Sequence, residues 1–312
     1  MGHDSHGVIR VEAYVASIED GRTDPAAEPR IERSDGATAV VDGGWNFGQV
    51  VAHFATDVAI ERAREHGLGA AAAYRCGHVG RVGAYVEQCV AAGMIGAAMV
   101  NNHGGGRAMA APGGVGRRLS PNPIAVGVPT GDPAAPFVLD MTSSVVAVGK
   151  VRVALNRDDT LPEGWIVDHE GRPSTNPADL DGPPPGALLP LGGAAAHKGF
   201  GLALVVEALA GALSPAGVSR EGAPSVGNGL FVLALDIARF TDPAGYASTI
   251  EELLAWATSP PHAPGVERIL VPGQPEREAR AAREASGIEL DETTWRELMA
   301  TGERLDVPAL EV

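Results

Sequence analysis

The chain has 312 residues, enough for two domains or one large one. Hydrophobic residues make up 45% of it but aromatic residues only 4%, so alanine, valine and leucine must fill the core. The net charge of −15 argues against partners that need a basic protein, namely nucleic acids and acidic membrane surfaces. A small anionic substrate stays compatible, provided that the site supplies its own cations.

The cysteines and the apolar stretches indicate the cellular compartment. Cys76 and Cys89 match no zinc-binding pattern and no disulfide framework, and the first residues lack the apolar core of a signal peptide. The most apolar stretch, 200–213, is interrupted by Glu207 and is too short to cross a bilayer. We therefore expect a cytoplasmic protein.

Helices and strands alternate in the first half of the chain. Arg10 and Tyr14 follow His6 at helical spacing, so a helix would place all three near one face. Apolar spacing and glycine signals then predict a helix over 47–66, a strand over 68–74, a helix over 82–92 and a strand over 94–100. A strand, a glycine turn, a helix and a second strand make a βαβ unit, which predicts that part of the sheet is parallel.

The second half continues as an α/β chain with a long excursion. The pattern predicts strands over 124–128, 137–141 and 230–237, and helices over 198–213, 250–258 and 277–304, the last broken at Gly287. Residues 156–193 are rich in proline and glycine and should form the excursion. The strong dinucleotide fingerprint Gly-x-Gly-x-x-Gly is absent from the strand–helix turns, which disfavours a Rossmann domain.

Two histidines are candidates for proton transfer. His6 stands beside Ser5, which can orient its ring, and Arg10 could grip a carboxylate through two parallel hydrogen bonds. The alternative is a plain helix start, since aspartate and serine are ordinary N-caps. His78 lies in a glycine turn after a strand, where open α/β sheets bind ligands, although it could equally cap a loop.

Two further features concern metal and phosphate. His3 and His6 could be read as a metal-binding pair, which would favour a metal-dependent hydrolase, but no third ligand is apparent. Of the 24 cationic residues only Lys150 and Lys198 are lysines. Lys198 opens a predicted helix, where a cation opposes the helix dipole, so an anion such as a phosphate would explain it better than stability does.

A series of short segments runs in order from residue 4 to about residue 276: DSHGVIR, GHVG, NN followed by APGG, LSPNPIAVGVP, FVLDMTSSVVAVGKV, LPEGWIVD, HKGFGLALVVEALAGAL and ILVPGQPE. Together these segments resemble the malate/L-lactate dehydrogenase family of NAD(P)-dependent oxidoreductases, which is unrelated in fold to the Rossmann-type lactate and malate dehydrogenases. Each segment alone is common, but the combination is specific.

The resemblance implies hydride transfer between NAD or NADP and a small 2-hydroxy or 2-keto acid, as in malate, lactate or ureidoglycolate dehydrogenases. It implies catalytic roles for Ser5, His6 and His78, with the acid/base role open between the two histidines, and substrate contacts from Arg10 and Tyr14. The implied cofactor contacts are Asn102, Asp140, Met141, Thr142, Lys198, Gly199 and Gly273, and no metal is implied. Some reductases of this family carry an acid at Lys150, so a lysine there favours hydroxy-acid over imine chemistry.

The resemblance also implies a mixed α/β architecture with a non-Rossmann cofactor domain and a homodimer. The cofactor domain would span 46–274, and a helical part would combine 1–45 with 275–312. Family members usually carry a helical segment before the DSHG motif, which here starts three residues after Met1. The alternative to an active enzyme is therefore a shortened, inactive relative that binds nucleotide, with a mobile His6.

Overall fold

A computed structural model describes residues 1–223 and 227–308. These residues form ten strands, which are β1 (Arg30–Asp35), β2 (Thr38–Asp42), β3 (Leu68–Cys76), β4 (Met94–Asn101), β5 (Ile124–Val128), β6 (Phe137–Met141), β7 (Ile166–Val167), β8 (Pro173–Ser174), β9 (Ala187–Leu188) and β10 (Asn228–Asp236). They also form nine α-helices, which are α1 (Val11–Glu19), α2 (Gly48–His66), α3 (Gly83–Ala91), α4 (Val148–Asn156), α5 (Ala178–Asp181), α6 (His197–Val206), α7 (Pro243–Ala257), α8 (Gln274–Ser286) and α9 (Glu292–Arg304).

Seven strands form one mixed sheet in the order β1-β2-β3-β10-β4-β5-β6. Within it β2 and β3 pair in parallel, and each of the other neighbouring pairs is antiparallel. A small sheet, β8-β7-β9, lies apart from it. The expected mixed α/β fold without a Rossmann sheet is confirmed.

The predicted βαβ unit differs from the observed one. Strands β3 and β4 do not pair, because β10 lies between them and is antiparallel to both. The parallel neighbours are instead β2 and β3, connected through α2. Since β5 is antiparallel to β4 and β6 is antiparallel to β5, strands β3, β4 and β6 run in one direction. Their carboxyl ends therefore share one edge of the sheet.

Small side chains let α2 approach the sheet closely. Ala55, Ala59 and Ala63 on α2 are fully buried in the same cluster as Ala71 and Ala73 of β3. A Cβ atom at Gly69 would lie only 2.0 Å from the carbonyl oxygen of Ala59, so the backbones of helix and strand are almost in contact there. This packing explains how a chain so poor in aromatic residues builds a dense core.

The opposite face of the sheet is covered by α6. Val206 and Ala210 are buried there against Ile124 of β5. The helix predicted over 198–213 is present as α6, which continues into wider π-helical turns over Glu207–Ala212. Glu207, which appeared to interrupt the apolar stretch, is buried and accepts hydrogen bonds from the side chains of Asn101 and Asn122 at 3.2 and 2.9 Å.

Several elements were not predicted from the sequence. Strands β1 and β2 lie in a region without a clear helical or strand-like hydrophobic periodicity. Helix α4 follows the strand predicted over 137–141 and was also not predicted. The excursion over 156–193 contains α5 and the small sheet, whose core includes Ile166 and Leu188. The helix expected over 250–258 begins earlier, at Pro243. The predicted break at Gly287 is found, with a φ of 87°.

The two ends of the chain lie against each other. Asp4 accepts two hydrogen bonds from Arg283 of α8, at 2.6 and 3.0 Å, and Glu19 pairs with Arg304 of α9. These contacts agree with a helical part built from both ends, but the domain boundaries themselves stay a prediction. Residues 309–312 of that part lie outside the described residues. In the described ranges no helix is long and apolar enough to cross a membrane.

Candidate active site

Two short 3-10 turns carry the first candidate residues into α1. The turns cover Asp4–His6 and Val8–Arg10, and α1 begins at Val11, so the helical spacing of His6, Arg10 and Tyr14 does not correspond to one continuous α-helix. The Ser5 hydroxyl lies 3.0 Å from Nδ1 of His6, and Nε of Arg10 donates to the Ser5 carbonyl oxygen at 2.9 Å. Because this bond uses only Nε, the two terminal nitrogens of Arg10 can still donate hydrogen bonds to a carboxylate.

The turn that carries His78 follows β3 and is fixed by the backbone of α2. A Cβ atom at Gly48, the first residue of α2, would lie 2.3 Å from the carbonyl oxygen of Gly77 and from the carbonyl carbon of His78. Only glycine permits so close an approach of two backbones. The start of α2 therefore sets the position of the His78 turn.

A chain of side-chain hydrogen bonds connects α2, α1 and this turn. Nε2 of Gln49 donates to the Tyr14 hydroxyl oxygen at 2.8 Å, and that hydroxyl lies 2.9 Å from Nδ1 of His78. An amide nitrogen can only donate, so the Tyr14 oxygen accepts from Gln49 and keeps its own proton for another partner. Tyr14 can therefore donate to a neutral His78 or accept from a protonated one.

The two candidate imidazoles lie face to face. The rings of His6 and His78 stack with centroids 5.5 Å apart and an angle of 22° between their planes. Burial lowers the pKa of His78 to about 4, and the positive charges of Arg10 and His6 contribute. Partial burial also lowers the pKa of His6, with contributions from Arg10 and His3. Both rings are therefore mainly neutral near pH 7 before a substrate binds.

Asp140 at the end of β6 caps the helix that follows the His78 turn. Its Oδ2 accepts a hydrogen bond from the backbone N–H of Gly83 at 2.8 Å and lies 3.8 Å from Nε of Arg81, which pairs with Glu87. Burial raises the pKa of Asp140. The start of α3 is thus already occupied by a carboxylate, so this glycine turn is not open for a phosphate.

The predicted cofactor residues at the end of β6 and the start of α6 are connected by backbone bonds. The Ser143 carbonyl, next to Thr142, accepts from the Leu191 N–H at 2.9 Å. A Cβ atom at Gly199 would lie 2.4 Å from the Leu191 carbonyl oxygen, so α6 begins directly against this segment. Lys198 is exposed at that start, and no side chain in the described part of the molecule caps it. A cation and an uncapped helix start suit a phosphate group.

The remaining cofactor candidates lie in two separate turns. Asn102 follows β4, and its side chain lies under Gly106, where a Cβ atom would be 1.8 Å from its Nδ2. Gly273 caps the start of α8 with a φ of 88° and packs against Val138 of β6. The neighbouring Pro272 carbonyl accepts from the Val138 N–H at 3.2 Å. Met141 is the last residue of β6 and is half-buried.

The strand directions place most of these residues on one edge of the sheet. The turns after β3, β4 and β6 carry His78, Asn102 and Thr142, and these three strands run the same way. Open α/β sheets bind ligands at the carboxyl ends of such strands. The structure thus joins Ser5, His6, Arg10, Tyr14 and His78 in one contact cluster and connects Thr142 with the start of α6.

Four residues near this edge were not identified from the sequence. They are Gln49, Arg81, His103 and Asn228. Gln49 stands in an ordinary helical position, and Asn228 follows a loop with no motif, so neither carries a local signal. His103 could have been noticed in the Asn-Asn-His-Gly-Gly-Gly run; it is buried, and its Nε2 donates to the Asn228 carbonyl at 3.1 Å.

The structure does not support the metal-binding alternative. Nε2 of His3 lies 3.2 Å from Glu276, whereas Nδ1 of His6 is engaged by Ser5. Within residues 1–223 and 227–308, no three His, Cys, Asp or Glu side chains are grouped so that they could hold a metal ion.

Two stacked imidazoles lie with Arg10, Ser5 and Tyr14 at the edge of a mixed sheet. Such an arrangement is chemically able to bind a carboxylate and move a proton. Comparison with known proteins gives the family. The family model described as malate/L-lactate dehydrogenase matches residues 1–299. Hydroxycarboxylate dehydrogenase B of Escherichia coli K12 is 34% identical over 98% of this chain and 84% of its own length. L-lactate dehydrogenase of Cupriavidus necator is 32% identical over 98% of this chain and 87% of its own.

A solved structure gives the same result for the fold. Malate dehydrogenase from Pyrococcus horikoshii superposes with a TM-score of 0.87 at 32% identity, covering 99% of this chain and 86% of the other. The chain belongs to the malate/L-lactate dehydrogenase family. The expected class, a pyridine-nucleotide-dependent 2-hydroxyacid oxidoreductase, is confirmed at that level. The comparisons do not support the alternative of a shortened, inactive relative.

Proposed function

We propose that this protein transfers a hydride reversibly between NAD or NADP and C2 of a small 2-hydroxy acid, with His6 as acid/base and Arg10 as the carboxylate contact. The contact cluster of Ser5, His6, Arg10, Tyr14 and His78 carries the proposal, because it combines a proton carrier with a cation for the substrate acid. A bound nicotinamide supplies or accepts the hydride. The protein residues bind the acid, orient it and move its hydroxyl proton.

His6 suits the acid/base role better than His78. His6 is exposed, its Nδ1 is engaged by Ser5, and no hydrogen bond from the described residues occupies Nε2, which is therefore available to a substrate hydroxyl. His78 is more deeply buried, its Nδ1 is engaged by Tyr14, and a pKa of about 4 leaves it a poor proton carrier near neutrality. His78 and Tyr14 then support the His6 ring by stacking.

A bound carboxylate should make His6 a better proton carrier. The charge of Arg10 contributes to the low pKa of His6, and a substrate carboxylate against that guanidinium would offset it. In oxidation, Nε2 of neutral His6 takes the hydroxyl proton while Ser5 accepts from Nδ1–H. In reduction, the protonated ring returns the proton to the oxygen at C2.

The residues at the sheet edge fit a dinucleotide. Lys198 and the uncapped start of α6 suit a phosphate, while Asn102 and Thr142 offer neutral polar groups just after the carboxyl ends of β4 and β6. We assign Asp140, Met141, Gly199 and Gly273 to the same site on the resemblance and on their positions around β6 and α6. The choice between NAD and NADP stays open.

A reductase assay tests this function. Purified protein is mixed with NADH or NADPH and a 2-keto acid such as pyruvate or oxaloacetate, and loss of the reduced nicotinamide absorbance is followed. His6→Asn should lower kcat/KM about 10²- to 10⁴-fold, the usual contribution of a general acid/base, and His78→Asn should lower it less. A larger loss in His78→Asn would contradict the assignment of His6. Nucleotide binding without turnover would favour an inactive nucleotide-binding relative.

We further propose that two copies associate through the outer face of α6 and that the protein is cytoplasmic. Leu202, Leu204 and Val205 are exposed on this helix, which has no charged residue between Lys198 and Glu207. Contiguous exposed apolar surface of this kind supports an interface. Sedimentation equilibrium measures the mass directly, and a monomer would contradict the dimer.

The proposed cytoplasmic location has separate support. Cys76 and Cys89 are buried and free, as expected in a reducing compartment.

A further inference from the structure

Strand β10 begins at the edge where β3 and β4 end. Its first residue, Asn228, pairs in register with Cys76 of β3, and Gly229 pairs with Asn101 of β4. The ladder to β3 is irregular between Asn228 and Leu230. Asn228 therefore lies between the turn that carries His78 and the turn that carries Asn102.

The side chain of Asn228 makes a hydrogen bond to each of the two turns. Its Oδ1 accepts from the backbone N–H of Val79 at 3.0 Å, and its Nδ2 donates to the Asn101 carbonyl oxygen at 3.0 Å. Val79 directly follows His78, and Asn101 directly precedes Asn102. The backbone carbonyl of Asn228 also accepts a hydrogen bond from Nε2 of His103, which belongs to the turn after β4.

Burial makes these bonds costly to lose. Asn228 is 8% exposed and Val79 is 2% exposed. The Val79 N–H lies beyond the end of β3, so the strand ladder does not bond it, and a buried N–H without a partner is unfavourable. The amide must also keep one orientation, because the oxygen faces a donor and the nitrogen faces an acceptor.

We propose that Asn228 is a positioning residue that fixes the imidazole pair relative to the cofactor-binding turn after β4. It acts through Val79 on the His78 ring, which stacks on His6, and through Asn101 on Asn102. This inference rests on the proposed function, in which the proton carrier and the nicotinamide must meet at the same carbon. A displacement of about 1 Å between such groups can cost about 100-fold in rate.

Two variants and one control test the proposal. Asn228→Ala removes both side-chain bonds, whereas Asn228→Asp keeps an acceptor for Val79 but replaces the donor to Asn101 with an oxygen. The control is Asn176→Ala, because the Asn176 side chain likewise accepts from a backbone N–H, that of Ala178, and donates to a second residue, Asp179, both in α5. Thermal unfolding of all three shows whether each variant is folded.

Kinetics separate positioning from a general loss of structure. Both Asn228 variants should lower kcat about 10- to 100-fold and leave KM for the nucleotide and for the keto acid little changed. The deuterium isotope effect with 4-deuterated NADH or NADPH should rise, because hydride transfer becomes slower than product release. The Asn176 variant should match the wild type. An unchanged kcat, or a change confined to nucleotide KM, would overturn the proposal.

A measurement without turnover keeps this inference separate from the proposed function. Absence of activity in the wild type would refute the function, and the position of His78 can still be followed by ¹⁵N NMR of its ring, assigned with His78→Gln. Asn228→Ala should broaden or shift the His78 signals, and Asn228→Asp should do so less because it keeps the Val79 bond. Identical His78 signals in wild type and both variants would overturn the positioning role.

Discussion

The geometry of Arg10 suits both a bond within the protein and the carboxylate contact that we propose for it. Its Nε donates to the Ser5 carbonyl, which orients the guanidinium beside the His6 ring and leaves the terminal nitrogens for a carboxylate. A lysine has its three donors on one nitrogen, so it cannot reproduce the two parallel hydrogen bonds of a guanidinium to a carboxylate. The identity of the arginine therefore matters as much as its charge.

Arg10→Lys should raise KM for the keto acid about 10- to 100-fold, since a charge-assisted hydrogen bond contributes about 1.5–3 kcal/mol. The effect on kcat should be smaller, because the imidazole pair is kept. Steady-state kinetics at saturating nucleotide measures both constants. Arg22→Lys is the control, since Arg22 is exposed and its ion pair is with Asp20, two residues earlier. An unchanged KM would remove Arg10 from the substrate site.

Candidate site residues could be predicted from the sequence where they stand in a motif, but not where the surrounding sequence has no distinctive pattern. His6, Arg10 and His78 stand in unusual local patterns, so their chemistry could be read without coordinates. Gln49 and Asn228 act through contacts with residues far away in the chain, 35 positions to Tyr14 and 149 to Val79. No local pattern encodes such a contact.

The start of α6 combines a lysine with a helix end that no described side chain caps, which suits the phosphate that we propose there. Lys198 lies at the N-terminal end of the helix, where its charge opposes the dipole, and Gly199 lets the helix begin against the Leu191 backbone. Its position next to the Thr142–Ser143 segment was not apparent from the sequence, because the excursion over 156–193 separates them.

Lys198→Ala should weaken nucleotide binding about 10- to 100-fold and leave the fold intact, because the side chain is exposed. Quenching of tryptophan fluorescence by NADH and NADPH measures the affinity, and thermal unfolding checks the fold. The other lysine provides the control: Lys150→Ala on α4 should bind nucleotide like the wild type. Equal affinities in all three proteins would exclude Lys198 from the cofactor site.

At the scale of the whole molecule, the half-buried His78 should make the free energy of unfolding depend on pH. Its pKa is lowered from 6.5 to about 4 by burial, so the unfolded chain binds this proton more readily than the folded protein does. The free energy of unfolding should therefore fall as the pH drops from about 6.5 to about 4, by roughly 3 kcal/mol from this group. The lowered pKa of His6 acts in the same direction.

Urea unfolding at neutral pH and at about pH 5 tests this sign. His78→Gln should reduce the difference between the two conditions, even if the variant is less stable at both. His169→Gln, at an exposed position in the loop after β7, should keep the difference seen in the wild type. If His78→Gln loses as much unfolding free energy between neutral pH and about pH 5 as the wild type does, a neutral folded-state His78 is not the cause of the pH dependence.

The fold class could be predicted from the sequence, but the order of the sheet could not. Hydrophobic periodicity predicted the bounds of α2, β3, α3 and β4 closely, and the family resemblance predicted the mixed architecture. The pairing of β10 between β3 and β4 depends on contacts between distant parts of the chain, which periodicity does not report. Strands β1 and β2 lacked a clear alternation, and β1 is exposed along its whole length.

The late position of β10 in the chain affects how the protein is made. During synthesis, β3 and β4 leave the ribosome long before residues 228–236 do, so each has an unpaired edge until that segment emerges. Unpaired edges invite association with other chains. A nascent chain that stalls or is cleaved before β10 would therefore lack both a complete sheet and Asn228, and would be a substrate for chaperones or proteases.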